Sequence, residues 1–328
     1  MKILIRTPNW LGDLLMSTAF VDAVLRDFPE AQVDLIVKAG FETLPLPHRG
    51  KVHSFDRKVC SAGAFGACLR AEQHDRIYIL PPSFSSAWMA FRAGVPGRFG
   101  LKGNGRSWLL NPAVGLPWQP RSRHLVEEYT QLLGPGALPG TMRLAITEAW
   151  LEAQSRTLPQ ALPERFVALA PGAIYGPAKE WPPEHFQELS RQLVAQGWPV
   201  VLLGTPDDRE VAEQIRNELP EVHNWCGKTN LPQLVAVLYQ AALLVSNDSG
   251  AMHVMSALQR PQVALFGSTS STRTGPPNPH ARQLSLNLEC SPCFKRVCPL
   301  GHTNCQKELH PELVFQSCLE ALREETKK

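Results

Sequence analysis

At 328 residues, with 44% hydrophobic and 19% charged residues, the chain has the composition of a folded protein of two domains, not of a disordered or single-core one. A net charge of +3 falls far short of the basic stripe of a nucleic-acid binder, though it suits an anionic ligand or a membrane surface. No apolar run approaches the roughly 18 residues that span a bilayer, and the N-terminus lacks a signal-peptide pattern.

The cytoplasm is therefore the expected place, with membrane contact only peripheral. In that compartment the eight cysteines read as thiols or metal ligands rather than disulfides.

Short β-rich runs alternate with helical periods along the chain. Residues 2–6 read as a strand. Residues 11–28 then read as a helix on the spacing of Leu14, Leu15, Phe20, Val21, Val24 and Leu25, stopped by Pro29. Strands are expected at 32–37 and 76–80, and a helix at 83–93. Residues 156–164 carry two prolines and no period, which makes them the expected linker. It separates an N-terminal domain, 1–155, from a C-terminal one, 165–328.

The second half repeats the alternation. It has strands at 166–170, 199–203, 243–246 and 262–266, and a helix opened by Pro182 and Pro183. Further helices follow at 207–219, 232–241 and 250–259, and a last one at 311–324. Such alternation makes an α/β protein of two doubly wound domains with mainly parallel sheets facing a central cleft. Ligands bind beyond the carboxyl ends of such strands.

Three strand-to-helix junctions carry chemistry. Asn9-Trp10-Leu11-Gly12-Asp13 leaves the first strand. Gly12 permits a close approach or an unusual turn, and Asp13 in the first helical turn can act as general base. The alternative is that Asp13 only satisfies free N–H groups at the helix start. Residues 170–182 contain Gly172, Gly176 and Lys179, a loop able to cradle phosphate, although many surface loops share that content.

Ser246 to His253 follows an apolar strand and opens a helix with Asp248, Ser249 and Gly250, where a helix N-terminus favours a diphosphate. Ordinary capping by Asp248 and Ser249 and a core role for His253 are the alternatives. Gly227-Lys228-Thr229 mimics the end of a phosphate loop, but Val222 stands where its first glycine belongs. Gly-x-Gly-x-x-Gly after the first strand, His-Glu-x-x-His and Gly-x-Ser-x-Gly are all missing from the sequence. That argues against nicotinamide, ATPase and α/β-hydrolase chemistry. Cys290, Cys293, Cys298 and Cys305 have a spacing that can close a tetrahedral metal site; free thiols are the alternative.

The ordered set of motifs resembles the ADP-heptose:lipopolysaccharide heptosyltransferases of glycosyltransferase family 9, most closely the heptosyltransferase II branch. It consists of residues 9–13, 80–84, 93–96, 171–173, 176–179 and 247–253, and the likeness runs over nearly the whole chain. The resemblance implies a GT-B fold of two Rossmann-like domains, the acceptor on the first and the ADP-sugar mainly on the second. It also implies an inverting transfer of heptose from ADP-heptose to the lipid A–Kdo–heptose acceptor at the inner membrane, by a monomer that needs no cofactor.

Residue by residue, Asp13 becomes the base and Lys179 the stabiliser of the leaving diphosphate. Asp248, Ser249, Gly250 and His253 line the donor, with Gly172 and Gly204 on loops bordering the nucleotide. Asn9, Trp10 and Gly12 border the acceptor. The cysteine cluster lies outside the transfer chemistry, and the last helix is expected to pack back on the N-terminal domain. The rival readings are heptosyltransferase I or III activity, a GT-B enzyme with another nucleotide sugar, and a non-catalytic module organised by the four cysteines.

Overall fold

In the computed structural model, which describes residues 1–119 and 121–325, the apolar runs become the central strands of two parallel sheets. The chain divides into two units, Met1–Ala145 and Ile146–Lys328. The first contains β1 (Lys2–Arg6), α1 (Leu11–Asp27), β2 (Gln32–Lys38), β3 (Val52–Phe55) and α2 (Ala62–Leu69), then β4 (Arg76–Ile79), α3 (Phe84–Arg92), β5 (Gly97–Leu101), β6 (Ala113–Val114) and α4 (Leu125–Thr130).

The second unit begins with α5 (Glu148–Ser155), β7 (Val167–Ala170), α6 (Pro183–Ala195), β8 (Val200–Leu202), α7 (Arg209–Arg216), β9 (Val222–Asn224) and α8 (Leu231–Gln240). It continues with β10 (Leu243–Asn247), α9 (Gly250–Ala257), β11 (Gln262–Leu265), α10 (Ser271–Thr274), β12 (Ala281–Leu284), α11 (Asn304–Lys307) and α12 (Pro311–Glu325).

Both sheets have the same topology. The first runs β3-β2-β1-β4-β5-β6 and the second β12-β11-β10-β7-β8-β9, with every strand pair parallel. Counted within its own unit, each follows the dinucleotide-fold order 3-2-1-4-5-6. The order reverses between β1 and β4 in one unit and between β7 and β10 in the other. A crevice opens at that reversal, because the crossover helices leave the sheet in opposite directions. The three chemistry-bearing motifs follow β1, β7 and β10, three of the four strands at those switch points.

The central strands β7 and β10 are buried along their whole length, as strands covered on both faces must be. Helix α6 buries Phe186, Leu189 and Leu193 against them, starting at Pro183, whose missing N–H costs nothing in a first turn. The sequence analysis does not anticipate β3, β5, β6, β9 and β12. These are short or lie toward the sheet edges and mix glycine, histidine, serine or arginine into the apolar pattern.

One boundary differs from expectation. The units divide at Ala145, not at the two-proline stretch 156–164. Helix α5 lies between the two points and packs on α8 of the second unit. The Gln233 side chain donates there to the Thr157 carbonyl at 2.7 Å, so that stretch is held by the second unit. Helix α12 places Val314, Phe315, Cys318, Ala321 and Leu322 in the second unit's core, which accounts for its apolar stripe within that unit.

Candidate active-site residues

In the first unit the loop after β1 is anchored by a buried arginine. Arg6 is 1% exposed. Its guanidinium donates to the Thr7 and Ile36 carbonyls and to Asn9 Oδ1, and lies 5.6 Å from the centre of the Phe55 ring. Burial pushes its pKa down to about 10, which still leaves it charged at neutral pH. A cation fixed here ties residues 7–9 to β2 and sets the entry of α1. The sequence signal for it is an arginine ending an otherwise apolar strand.

Helix α1 begins at Leu11 after Trp10, which makes no side-chain cap bond and is 60% exposed. Asp13 falls in the first turn and is partly exposed, at the switch-point end of the sheet. Gly12 lies inside the helix, so the unusual turn allowed for it does not occur; a side chain is missing there, but the backbone is regular. Asn9 is engaged by Arg6 and so serves the loop's shape.

In the second unit a compact polar network joins the loops after β7, β10 and β11. Lys179 is nearly buried. Its ammonium lies 2.6 Å from Asp248 Oδ2 and donates to the Asp248 carbonyl at 3.2 Å. The Thr269 hydroxyl donates to the same carboxylate oxygen at 2.7 Å, and Thr274 does so at 3.4 Å. His253 Nε2 stands 3.8 Å from the other oxygen, Oδ1.

The loop carrying Lys179 is fixed at both ends by Asn247. The Asn247 side chain donates to the Pro171 carbonyl and accepts from the Trp181 N–H at 3.1 Å. Gln306 supports the middle, donating to the Lys179 carbonyl at 3.1 Å. Tyr175 completes the set: Lys179 Nζ lies 4.8 Å and the Arg296 guanidinium 5.2 Å from its ring centre. Gly176 has φ +148° and faces the Arg296 carbonyl so closely that a Cβ would stand 2.6 Å from it, a backbone and a space that only glycine fits.

The capping alternative for the 248–250 segment does not hold. Ser249 is the N-cap of α9 yet makes no cap bond, and its hydroxyl is buried with no hydrogen-bond partner. Asp248 is occupied by Lys179 and Thr269. The start of α9 thus offers an unused hydroxyl and a partial positive charge beside a buried lysine, a place for anionic oxygens.

Gly172 and Gly204 both lie against one carboxylate. Both face the Asp208 carboxylate so closely that a Cβ at either position would collide with it. Asp208 in turn accepts from the Thr205 N–H at 2.7 Å and the Thr205 hydroxyl at 2.8 Å. The two glycines make room for a loop-bracing carboxylate.

Thr269, Thr274 and Gln306 escaped sequence reading because they lie 21, 26 and 58 residues beyond Asp248 with no motif around them; only the fold gathers them. The four cysteines do come together. Cys290, Cys293, Cys298 and Cys305 line one small cavity with His302, Ser268 and Ala178. Their sulfurs are not gathered to ligand distance, unlike the one set among the described residues with its ligand atoms all within 4.8 Å of one another: Asp34, His53 and His74. The Asp34 carboxylate in that set already accepts from the Lys51 N–H at 2.7 Å, from Gln32 at 3.0 Å and from His74 at 2.8 Å. Its bonds mark it as a structural brace.

Comparison with known proteins identifies the family. The family model for glycosyltransferase family 9 (heptosyltransferase) matches residues 62–304. The chain is 33% identical over 313 residues to lipopolysaccharide heptosyltransferase 2 of Escherichia coli (strain K12), covering 87% of this chain and 88% of the relative. It is 35% identical over 301 residues to lipooligosaccharide heptosyltransferase 2 of Haemophilus ducreyi, covering 84% and 86%.

Among solved structures, the E. coli ADP-heptose lps heptosyltransferase II matches with a TM-score of 0.84 at 29% identity, over 99% of this chain and 100% of that one. E. coli heptosyltransferase WaaC with ADP shares the fold, with a TM-score of 0.76 at 22% identity over 98% and 100%. With its two parallel Rossmann-like sheets, the chain belongs to glycosyltransferase family 9, the heptosyltransferases, and is a glycosyltransferase of the GT-B class.

Proposed function

We propose that this enzyme transfers L-glycero-D-manno-heptose from ADP-heptose, with inversion, to a heptose of the lipopolysaccharide inner core, a reading supported by relatives named lipopolysaccharide heptosyltransferase 2. The observation that carries the reading is the nearly buried Lys179 beside the unpartnered Ser249 hydroxyl at the N-terminus of α9. Negative charge develops on the β-phosphate as the sugar departs, and fixed donors aimed at that oxygen lower the barrier. Asp248 is a carboxylate and repels the diphosphate; its part is to position Lys179 and to accept from a sugar hydroxyl. Gly250 keeps the first turn of α9 open, and His253 lines the donor beside Asp248.

Inversion requires the acceptor oxygen to attack opposite the leaving phosphate. Asp13, at the switch-point end of the first sheet, removes its proton. Asn9 and Trp10 border the acceptor, a lipid A–Kdo–heptose molecule at the cytoplasmic face of the inner membrane. No described helix is long and apolar enough to cross a membrane, and contact with the bilayer is peripheral.

The test is mass spectrometry of products formed from ADP-heptose with acceptors carrying no, one or two heptoses. Addition of one heptose to the mono-heptosylated acceptor is expected. Preference for an acceptor lacking heptose moves the enzyme to heptosyltransferase I activity, and preference for the di-heptosylated one moves it to heptosyltransferase III activity.

A further inference from the structure

We propose that the outer face of α3, together with the turn at Ser107–Leu109, docks on an anionic lipid bilayer. The inward face of this helix is narrow and small, burying Ser86, Ala87, Met89 and Ala90. The wide side chains point the other way. Phe84 is 44%, Phe91 43% and Trp108 67% exposed, and they are neighbours: ring centres lie 6.3 Å apart for Phe84 and Trp108 and 6.5 Å for Phe91 and Trp108. Trp88, half-buried against the core and α2, backs the face by stacking on Phe91 at 5.6 Å. Single exposed aromatics are ordinary, whereas a contiguous set marks a surface that meets something apolar.

Charge selects the occupant. The exposed Arg92 guanidinium lies 5.7 Å from the Trp88 ring centre; that of Arg98, 5.6 Å from the Phe91 ring centre, donates to the Leu109 and Val95 carbonyls at 2.7 Å and so braces the face from behind. From Arg76 to Val126 the chain has no Asp or Glu, yet it carries seven Arg and Lys. At the chain's average of 30 acids in 328 residues, about four or five would fall there. Exposed aromatic rings beside the exposed Arg92, on a stretch of chain without acids, match a bilayer whose headgroups are negative. The rings enter the interfacial layer and the Arg92 guanidinium stays at the phosphates.

The surface is ordered in advance. The buried Arg106 donates to the Pro81, Ser83 and Leu101 carbonyls, and Asn104 donates to Pro82. These bonds brace the loop that leads into α3 and the segment that carries Trp108. The same loop leaves the carboxyl end of β4, the sheet end at which ligands bind. A lipid-anchored acceptor would thus be met at the membrane. That last link rests on the proposed function, but the docking itself does not.

The test is co-sedimentation of the full chain with vesicles of phosphatidylglycerol and phosphatidylethanolamine, against vesicles of phosphatidylcholine alone. The wild type is expected to bind the anionic vesicles and to be released by salt. The double variant Phe91→Ser, Trp108→Ser and the single variant Arg92→Glu are expected to lose about tenfold or more of that binding. Their thermal midpoint and ADP affinity should not change. Failure of the wild type to bind anionic vesicles overturns the proposal, as does unchanged binding by the variants. So does a wild-type dimer that the double variant dissolves, since the face then joins two copies of this chain. Neither donor nor acceptor is in the assay, so these outcomes are independent of the transfer reaction, which a deacylated, water-soluble acceptor tests separately.

Discussion

Lys179 and Asp248 form an ion pair held almost out of water, and such a pair is a weak contributor to stability but a costly one to break. Removing the ammonium alone leaves a carboxylate with only hydroxyl donors and His253 about it. Loss of activity in Lys179→Met is therefore ambiguous on its own, and the double variant Lys179→Met, Asp248→Asn resolves it. The single variant should lose transition-state stabilisation on the order of 2–4 kcal/mol in kcat/KM together with a lowered Tm. The double variant should recover most of the Tm and none of the rate. Recovery of rate with Tm would show that Lys179 acts only through the fold.

Asp13→Ala separates the two sides of the reaction: transfer should be abolished while ADP affinity by calorimetry stays near wild type. Wild-type-like turnover would remove Asp13 from the mechanism. Asp13 and Lys179 were both legible in the sequence, because each sits within a short motif leaving a predicted strand. Arg6 was legible in principle. Thr269 and Gln306 were not, because single polar residues in short connections and one-turn helices carry no local pattern.

The elements of the first sheet are tied together by Asp34 on β2. It draws in the Lys51 N–H ahead of β3 and His74 ahead of β4. Burial works to raise the Asp34 pKa, but hydrogen bonds from Gln32, the Lys51 N–H and His74 outweigh it and hold the carboxyl below its ordinary value. A carboxyl whose pKa is lower in the folded state stabilises the fold above its unfolded value, and that contribution disappears as the pH falls through the folded one. The Tm gap between wild type and Asp34→Asn, about 1–3 kcal/mol in stability at neutral pH, should therefore narrow below about pH 4. A gap that stays constant from pH 7 to pH 3 would exclude an ionised Asp34 as the brace. Strand existence was predictable here from the apolar run of β2. Its partnership with His53 and His74 was not, since strand order is a matter of crossovers rather than of local period.

At the scale of the molecule, two units share one strand order without an internal sequence repeat of fixed period. The nucleotide-binding features proposed here belong wholly to the second. A ligand bound to the folded state stabilises it by mass action, about 2.7 kcal/mol at one hundred times Kd. ADP should thus raise the thermal midpoint more than UDP or GDP at equal concentration. A larger shift with UDP would replace the proposed donor with another nucleotide sugar.

The sequence by itself determined the α/β class, the alternation of strands and helices, and the three junctions where chemistry collects. These depend on local period and on residues adjacent in the chain. The tertiary structure alone decided that the junctions lie at strand-order reversals, that Lys179 is paired with Asp248, and that Gly172 and Gly204 yield space to Asp208. It also decided that α5 belongs with the second unit. Each of these is a contact between residues far apart in the chain, fixed when parallel strands take their order and buried charges must find partners.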